Sequence, residues 1–233
     1  MEKYRRNILI DGIGEEGQNK LLQSKVLVIG AGGLGSPVLY YLVAAGIGTI
    51  GIMDYDVVDI TNLQRQIIHN KADLGRAKIE SAAEKLKALN PKCNIITYKD
   101  KFTVDNANTI INDYDFIVDC CDNYDTKFLI DDVCVKNEKP YSHGAVVALK
   151  GEVMTCIPEH ACYRDVFDSQ PKDGTIPNSA EIGILGSIAG IIGSIQATEA
   201  IKYLTNIGSL ITDRILIFDG KSMNFHSLKV KKS

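Results

Sequence analysis

The sequence predicts an α/β fold: a Rossmann-like, mostly parallel sheet with helices on both faces and a C-terminal antiparallel extension. Short apolar runs and amphipathic segments alternate from residue 25 to residue 143, as in successive β–α–β units. After Gly144 the alternation stops, and residues 146–157 read as an antiparallel strand or hairpin. The 233 residues suffice for a large core, so we expect a single domain over 1–233.

A glycine-rich loop follows the first predicted strand, Val26 to Ile29, which is a short apolar, β-branched run. A helix is predicted directly after it, over residues 33–45. In such a loop, glycines allow a tight turn and bring backbone N–H groups and a helix N-terminus close to a phosphate. The candidate phosphate-binding residues are Gly30, Gly32, Gly33 and Gly35.

Asp54 follows the second predicted strand, residues 49–53, roughly 20 residues after the loop, where an acid that binds a ribose hydroxyl is expected. Strand, loop, helix and acid together predict an adenine-nucleotide site. They do not distinguish NAD from ATP, and a tight turn without any ligand stays open as an alternative.

The remaining elements follow from apolar periodicity and from helix-stop and turn signals. Residues 1–22 read as a helical lead-in that breaks at Asp11-Gly12. Further helices are predicted over 73–89, 103–111, 126–136 and 183–204, and further strands over 94–98, 116–120, 140–143, 215–218 and 224–230. The polar stretch 158–179, with its three prolines, is predicted to be a long mobile loop.

Composition and charge exclude several classes of protein. The net charge of −3 gives no bulk attraction to nucleic acid, so no nucleic-acid partner is expected. The run from Ile182 to Thr198 is uncharged but shorter than the ~20 residues of a membrane span, so we expect a buried helix and no membrane association. The charged N-terminus does not resemble a signal peptide, and the six cysteines show no disulfide spacing, which predicts a cytoplasmic location.

Several further motifs occur in an order that is specific to one family. They are Tyr4-Arg5-Arg6, the glycine loop, Asp54, Thr61 to Gln66, Lys78, Asp119 to Asn123, Gly190 to Lys202 and Phe218 to Ser222. Together they resemble the ThiF/MoeB/HesA family, bacterial relatives of ubiquitin-activating enzymes, across nearly the whole chain. The last motif is closer to the thiamine thiazole branch of that family than to the molybdopterin branch.

The resemblance implies an ATP-dependent adenylyltransferase. In this family the C-terminal glycine of a small ubiquitin-like sulfur carrier, which ends in Gly-Gly, attacks the α-phosphate of ATP, and pyrophosphate leaves. A persulfide sulfur donor then attacks the acyl-adenylate. The arginine that matches Arg6 reaches the ATP of the neighbouring subunit, so the resemblance also implies a homodimer.

Such chemistry needs positioning and neutralisation of charge more than an acid or a base. Arg65 and Lys78 can hold phosphates, Asn62 can add a neutral donor, and Asp122, just after the fourth strand, suits Mg²⁺. Taken singly, each could be a solvated charge or a capping residue, but their joint order argues for a site. The candidate ATP-binding residues are the four glycines with Asp54, Asn62, Arg65, Gln66, Lys78 and Asp122.

Two departures from the family pattern concern cysteines. Many members carry two Cys-x-x-Cys pairs that bind a structural zinc, but here Cys162 remains alone in the first pair, with Asp165 in the second position, and the second pair is missing. We therefore expect no zinc site. Ser179 stands where some members have a cysteine linked to the carrier, so sulfur transfer is expected to rest with another protein, with Cys162 as the alternative nucleophile.

Other functions stay open at this point. The glycine loop and Asp54 alone would also fit an NAD-dependent oxidoreductase, although that function gives no role to Asn62, Arg65 and Lys78 together. The missing cysteines would fit a non-catalytic member that binds a carrier tail without turnover. Within the family, the adenylated substrate could also be a peptide or another ubiquitin-like protein.

Overall fold

The computed structural model describes residues 1–169 and 182–233. The strands in these residues are β1 (Lys25–Ile29), β2 (Thr49–Met53), β3 (Asn94–Tyr98), β4 (Phe116–Asp119), β5 (Tyr141–Val147), β6 (Lys150–Cys156), β7 (Arg214–Asp219) and β8 (Asn224–Lys229). They form one sheet in the order β3-β2-β1-β4-β5-β6-β7-β8. The first five strands in this order, from β3 through β2, β1 and β4 to β5, are parallel. Strands β6, β7 and β8 run antiparallel to their neighbours. The predicted fold class is confirmed.

The described helices are α1 (Arg5–Ile8), α2 (Gly14–Gln23), α3 (Gly35–Ala45), α4 (Lys78–Leu89), α5 (Val104–Ile111), α6 (Tyr124–Lys136), α7 (Tyr163–Val166) and α8 (Gly186–Thr205). Short 3₁₀ turns lie at Glu2–Tyr4, Ile60–Asn62 and Lys71–Asp73. The helical lead-in is interrupted where the sequence predicted, at Asp11-Gly12, and its second part ends at Gln23. Over the described ranges, no helix is both long and apolar enough to span a bilayer.

Two apolar cores lie on opposite faces of the sheet. Successive side chains of a strand point to opposite faces, and β1 supplies both cores. Val26 and Val28 pack with residues of α3, α4 and α8, whereas Leu27 and Ile29 pack with residues of α5, α6 and α7. All four side chains are buried, so the end of β1 that leads into the glycine loop is held from both sides.

Strand β5 joins the parallel and antiparallel halves. Its first residues pair in parallel with β4, and its whole length pairs antiparallel with β6. The sequence predicted a strand over 140–143 and an antiparallel strand or hairpin over 146–157. The antiparallel pairing is confirmed by β6, but the break after residue 143 was wrong, because β5 continues to Val147. Gly144 interrupts the pattern because α8 comes close: a Cβ at Gly144 would lie 2.5 Å from the side chain of Gln196.

The helix predicted over 73–89 begins later, at Lys78. The Asn70 side chain caps the 3₁₀ turn that ends at Asp73, and Gly75 then takes a φ of +79°, which no helix residue adopts. Asp73 is 2% exposed. Local capping by polar side chains therefore competes with helix formation over these residues.

Part of the predicted loop 158–179 is helical, because α7 lies within it. The Asp165 carboxylate caps this short helix by accepting the Cys162 N–H at 2.7 Å. The Tyr163 ring packs on Phe128 and His143, with ring centroids 5.0 and 4.5 Å away. Residues 170–179 lie outside the described residues, so the mobility of the loop stays a prediction.

A buried ion pair lies at the end of β4. Lys127 Nζ donates to Asp119 Oδ2 at 2.9 Å and to the Gly144 carbonyl at 2.7 Å, and His143 Nδ1 lies 2.9 Å from the same Asp119 oxygen. The Lys127 and Asp119 side chains are 6% and 1% exposed. Burial alone would raise the pKa of Asp119, but Lys127 and His143 lower it to about 2.

Substitution of Lys127 by methionine should lower the free energy of unfolding by about 3 kcal/mol, because Asp119 would stay buried without its cation. Lys20→Met is the matched control: Lys20 pairs with Glu16 at the surface of α2, and such pairs contribute little. Urea denaturation followed by circular dichroism measures both variants. Equal losses in the two would show that the buried pair stabilises the fold no more than a surface pair does.

Candidate functional site

The glycine loop lies at the C-terminal edge of the parallel strands, between β1 and β4. Strand β2 flanks β1 on one side and β4 flanks it on the other. The helices that follow β1 and β4, α3 and α6, contribute to opposite cores. The two connections therefore leave the sheet on opposite faces, and a crevice opens between them in the position where open α/β sheets bind ligands.

Two loop glycines are required by the backbone. Gly30 has a φ of +105°, and a Cβ there would lie 2.6 Å from the Cys120 carbonyl oxygen. A Cβ at Gly35 would lie 2.0 Å from the carbonyl oxygen of Gly30. At Gly32 and Gly33 the nearest atoms would be side chains 3.4 Å away. The outer glycines thus shape the turn, whereas the inner two leave the backbone open.

Hydrogen bonds direct the loop amides toward the crevice. The Ala31 N–H donates to Asp54 Oδ2 at 2.8 Å. The Gly32 carbonyl accepts from the Ser36 hydroxyl at 2.6 Å and from the Ser36 N–H at 2.9 Å. In a trans peptide the N–H points away from the carbonyl, so the Gly33 N–H points away from Ser36. Together with the N-terminus of α3, the loop presents donors and partial positive charge to an anion.

Asp54 makes two hydrogen bonds to backbone N–H groups in addition to its predicted role in binding ribose. Its Oδ1 accepts the Asp56 N–H at 2.9 Å, and its Oδ2 accepts the Ala31 N–H. Because each carboxylate oxygen can accept a further bond, the half-buried Asp54 can still bind a ribose hydroxyl. This side chain therefore couples the end of β2 to the glycine loop.

The turn Ile60–Asn62 brings Asn62 and Arg65 to the loop. The Asp59 side chain caps the turn, and Asn62 Oδ1 accepts the Asp59 N–H at 3.2 Å. Arg65 Nη1 donates to a backbone carbonyl of the turn at 3.0 Å, and its Cγ would lie 3.5 Å from a Cβ at Gly33. The stem of the Arg65 side chain thus lies beside the glycine loop, and Asn62 lies three residues before Arg65 in the same turn.

Gln66 carries a buried polar atom that lacks a partner. The residue is 5% exposed, and its Nε2 would lie 3.4 Å from a Cβ at Gly32. Its Oε1 accepts no hydrogen bond from the described residues. A buried acceptor in this state costs free energy unless a donor pairs with it, so Gln66 fits a ligand that brings a hydroxyl or amino group to the loop.

Lys78 begins α4 and is 6% exposed. Its Nζ donates to Asp56 Oδ2 at 2.9 Å, and the Asp56 side chain is 48% exposed. A buried cation is thereby held beside an exposed carboxylate. The arrangement allows an incoming phosphate to take over the lysine from Asp56.

Asp122 is exposed, three residues after the end of β4. The Asp56 carboxylate, then burial, and more weakly Asp122 and Asp54 raise the pKa of Tyr55. One exposed carboxylate is not a complete metal site. Magnesium, however, is usually held by one or two carboxylates together with phosphate oxygens and waters, so Asp122 fits Mg²⁺ alongside a nucleotide.

Arg6 lies away from this site within one chain. It is exposed on α1, and the neighbouring Asn7 donates to the Ala45 carbonyl, at the C-terminal end of α3, at 3.4 Å. Helix α3 starts at the glycine loop and has 11 residues, a length of about 16 Å. A contact from Arg6 to a nucleotide at the loop would therefore have to come from a second copy of the chain.

The cysteines of the described residues are poor nucleophiles. Burial raises the pKa of Cys120 and Cys121 well above the ordinary value, and burial followed by Asp131 raises the pKa of Cys162 to about 12. Because the thiolate is the reactive form, this direction disfavours Cys162 as the alternative nucleophile, and that role stays a prediction. Ser179 lies outside the described residues.

At the predicted position of the first cysteine pair, carboxylates make hydrogen bonds instead. Asp165 accepts the Ser233 N–H at 2.9 Å. Asp213 contacts His160 Nδ1 at 2.7 Å and accepts the Ala161 N–H at 2.9 Å. In the part of the chain with described coordinates, no three His, Cys, Asp or Glu side chains are grouped as metal ligands. The absence of zinc stays a prediction.

Three residues at the site were not predicted from the sequence. Asp56 and Ser36 could have been found from their positions in the sequence. Asp56 lies two residues after Asp54, and Ser36 lies in the first helical turn after the glycine loop. His69 had none, because its partners, the Ala31 carbonyl and the Ser81 hydroxyl, are 38 and 12 residues away in the sequence.

Comparison with known proteins identifies the family of this chain. The family model described as the ThiF family matches residues 4–233. The chain is 40% identical to the SAMP-activating enzyme E1 of Haloferax volcanii, over 98% of this chain and 84% of that protein. It is 36% identical to a sulfur carrier protein adenylyltransferase of Thermus thermophilus, over 100% of this chain and 88% of that protein. It is 40% identical to the probable adenylyltransferase/sulfurtransferase MoeZ of Mycobacterium tuberculosis, but spans 60% of that protein.

Solved structures share the fold. Escherichia coli MccB with MccA-N7isoASN superposes with a TM-score of 0.87 at 20% identity, over 99% of this chain and 72% of that chain. The same protein with ATP gives a TM-score of 0.82 at 21% identity, over 100% and 73%. At this identity the likeness concerns the fold alone. The family match over residues 4–233 shows that the chain belongs to the ThiF family.

Proposed function

We propose that this protein is an ATP-dependent adenylyltransferase that activates the C-terminal glycine of a small ubiquitin-like sulfur carrier ending in Gly-Gly. The observation that supports the proposal is the pair of cations near the glycine loop. Arg65 packs beside Gly33, and Lys78 donates to Asp56, whose N–H donates to Asp54. Relatives over nearly the whole chain are named adenylyltransferases, which favours ATP as the nucleotide.

In the proposed reaction, a carboxylate oxygen of the carrier attacks the α-phosphorus of ATP. A bond forms between them, the bond from the α-phosphorus to the bridging oxygen breaks, and pyrophosphate leaves with the electron pair. The carboxylate is already ionised at neutral pH, so no general base is needed. Negative charge grows on the leaving oxygens, and stabilising that charge is the main task of the protein.

The site residues suit that task. The amides of Gly32 and Gly33 would hold phosphate oxygens, and Arg65 and Lys78 would offset the charge of the leaving group. Because Lys78 is buried, its charge is screened less than that of a surface lysine. Asn62 adds a neutral donor, while Asp54 and Gln66 are placed to accept from the ribose or the base. Asp122 would hold Mg²⁺, which supplies positive charge to the phosphate oxygens.

The later steps and the pathway are also proposals. The terminal sulfur of a persulfide donor would form a bond to the acyl carbon of the acyl-adenylate, and AMP would leave with the electron pair of the broken C–O bond. Burial raises the pKa of the cysteine thiols in the described residues, so little reactive thiolate forms on them. A sulfur donor from another protein is therefore favoured. The motif from Phe218 to Ser222 favours a carrier of the thiamine thiazole type over the molybdopterin type. The free cysteines suit a reducing compartment such as the cytoplasm.

The alternatives are weaker. An NAD-dependent oxidoreductase has no support from the relatives, and it leaves Asn62, Arg65 and Lys78 without a role. A non-catalytic carrier-binding member would need no phosphate-side cations, whereas this chain retains each of them at the crevice.

We propose further that the protein is a homodimer in which Arg6 completes the partner's site. A groove of about 590 Å³ lies between α3 and α8, and it is lined in part by Tyr41 and Ile67, which are 57% and 62% exposed. A second groove of about 320 Å³ shares Tyr41 and continues to Asn7, beside Arg6. An exposed apolar face of this kind suits a protein interface.

Removal of the Asp122 carboxylate, in Asp122→Ala, should lower carrier-dependent ATP–pyrophosphate exchange roughly 100-fold, because the predicted Mg²⁺ ligand is lost. The exchange is measured with thiazole-type and molybdopterin-type carriers, added one at a time, so the assay also identifies the carrier. Asp125→Ala, in the first turn of α6, is the matched control and should exchange like the wild type.

Each other result has a distinct meaning. ATP binding without exchange for any carrier would favour the non-catalytic member. Binding of NADH in place of ATP would overturn the adenylation proposal. An equal loss in Asp125→Ala would show that the turn, and not the Asp122 carboxylate, matters.

Mixing two inactive variants tests the shared site. Arg6→Ala and Asp122→Ala should each be inactive alone, but a mixed dimer would contain one site with both residues intact. Random exchange of subunits should restore about a quarter of wild-type exchange activity, since half of the dimers are mixed and each has one intact site. Arg5→Ala, at the neighbouring position, is the control for Arg6. No recovery on mixing, with subunit exchange shown by a tag, would place Arg6 in its own chain's site or outside any site.

A further inference from the structure

A buried histidine holds the glycine loop from behind. His69 Nε2 lies 2.9 Å from the carbonyl oxygen of Ala31, and His69 Nδ1 lies 2.8 Å from the Ser81 hydroxyl. The residue is 5% exposed. The contact links the segment that precedes α4 to the centre of the predicted phosphate-binding loop.

The partners determine which ring nitrogen carries the proton. A carbonyl oxygen can only accept, so Nε2 must carry the hydrogen that reaches Ala31. Lys85 Nζ donates to the Ser81 hydroxyl oxygen at 2.8 Å, so the single Ser81 hydrogen goes either to Nδ1 or to the Asp73 carboxylate, whose pKa Ser81 lowers. When it goes to Nδ1 the ring is neutral, and in both cases Nε2 carries the hydrogen that reaches Ala31.

Charges around the ring favour the neutral form. Burial, chiefly, lowers the pKa of His69, and the positive charges of Lys85 and Lys78 lower it further. The Ala31 carbonyl and Asp73 raise it, but by less, so the pKa of His69 lies below its ordinary value. Asp73 in turn accepts from Lys85 and from Arg76. A continuous set of bonds thus runs from Asp73 through Lys85, Ser81 and His69 to the loop.

The bond to Ala31 sets the direction of the next amide. The Ala31 carbonyl and the Gly32 N–H belong to one planar trans peptide and point in opposite directions. His69 holds the carbonyl on its own side, so the Gly32 N–H points away from His69. Ser36 has the same effect one peptide later, where it binds the Gly32 carbonyl and the Gly33 N–H points away from it. A peptide flip would lose the bond and leave Nε2–H buried without an acceptor.

We propose that His69 is a positioning residue for nucleotide binding: its Nε2–H, fixed by Ser81 and Lys85, holds the Ala31–Gly32 peptide so that the Gly32 amide donates to a phosphate. This inference rests on the proposed function. It assigns a role to a residue with no predicted contact to any substrate.

The test compares His69→Leu with His69→Gln, because a glutamine amide can still donate to the Ala31 carbonyl and leucine cannot. The dissociation constant for ATP with Mg²⁺ is measured by calorimetry, well below the melting temperature of each variant. His69→Leu should bind ATP about tenfold more weakly, and His69→Gln within about twofold of the wild type. The KM for the carrier should stay unchanged in both.

Leu86→Ala is the control for a destabilised helix. It removes a buried side chain from α4 without touching His69, so it should lower the melting temperature but leave ATP affinity unchanged. The imidazole ¹⁵N shifts of the wild type should show the Nε2–H tautomer. Equal ATP affinity of His69→Leu and wild type, or the Nδ1–H tautomer, would overturn this inference alone. Failure of the wild type to bind ATP would overturn the proposed function as well.

Discussion

The close approach between the glycine loop and the end of β4 is the constraint on which the site depends. Because Gly30 has no side chain, the loop backbone lies against the Cys120 carbonyl. From the other side, Gln196 of α8 donates through Nε2 to the carbonyls of Asp119 at 2.8 Å and Ser142 at 3.2 Å. The helix therefore ties the end of β4 to the start of β5, next to the point where the loop meets Cys120.

Two buried lysines near the crevice are each paired with a carboxylate, but the two pairs differ in kind. The Lys127 partner, Asp119, is 1% exposed, whereas the Lys78 partner, Asp56, is 48% exposed. Pairing reduces the cost of burying a cation and also holds it in place. If Lys78 binds another anion, the exposed Asp56 carboxylate can be hydrated by water, whereas the buried Asp119 carboxylate cannot. Separating the Lys78 pair therefore costs less free energy than separating the Lys127 pair.

The fold and most of the site could be predicted from the sequence because their signals are local. The apolar runs, the glycine spacing and the acid after β2 each lie within a few residues. One error arose from local capping, which apolar periodicity does not reveal: Asn70 and Gly75 delay the start of α4. The other arose where a distant contact decides, since Gly144 accommodates Gln196 within a continuous strand. The role of His69 was missed for the same reason, since its partners come from elsewhere in the chain.

The direction of the loop amides has a consequence for selectivity. A backbone N–H recognises negative charge, and it cannot sense which base is attached to the phosphates. A site that holds phosphates mainly through Gly32 and Gly33 would therefore bind the phosphate groups of any nucleoside triphosphate about equally well. Discrimination between adenine and guanine has to come from side chains, because a wrong exocyclic group would leave a buried polar atom such as Gln66 Oε1 without a partner.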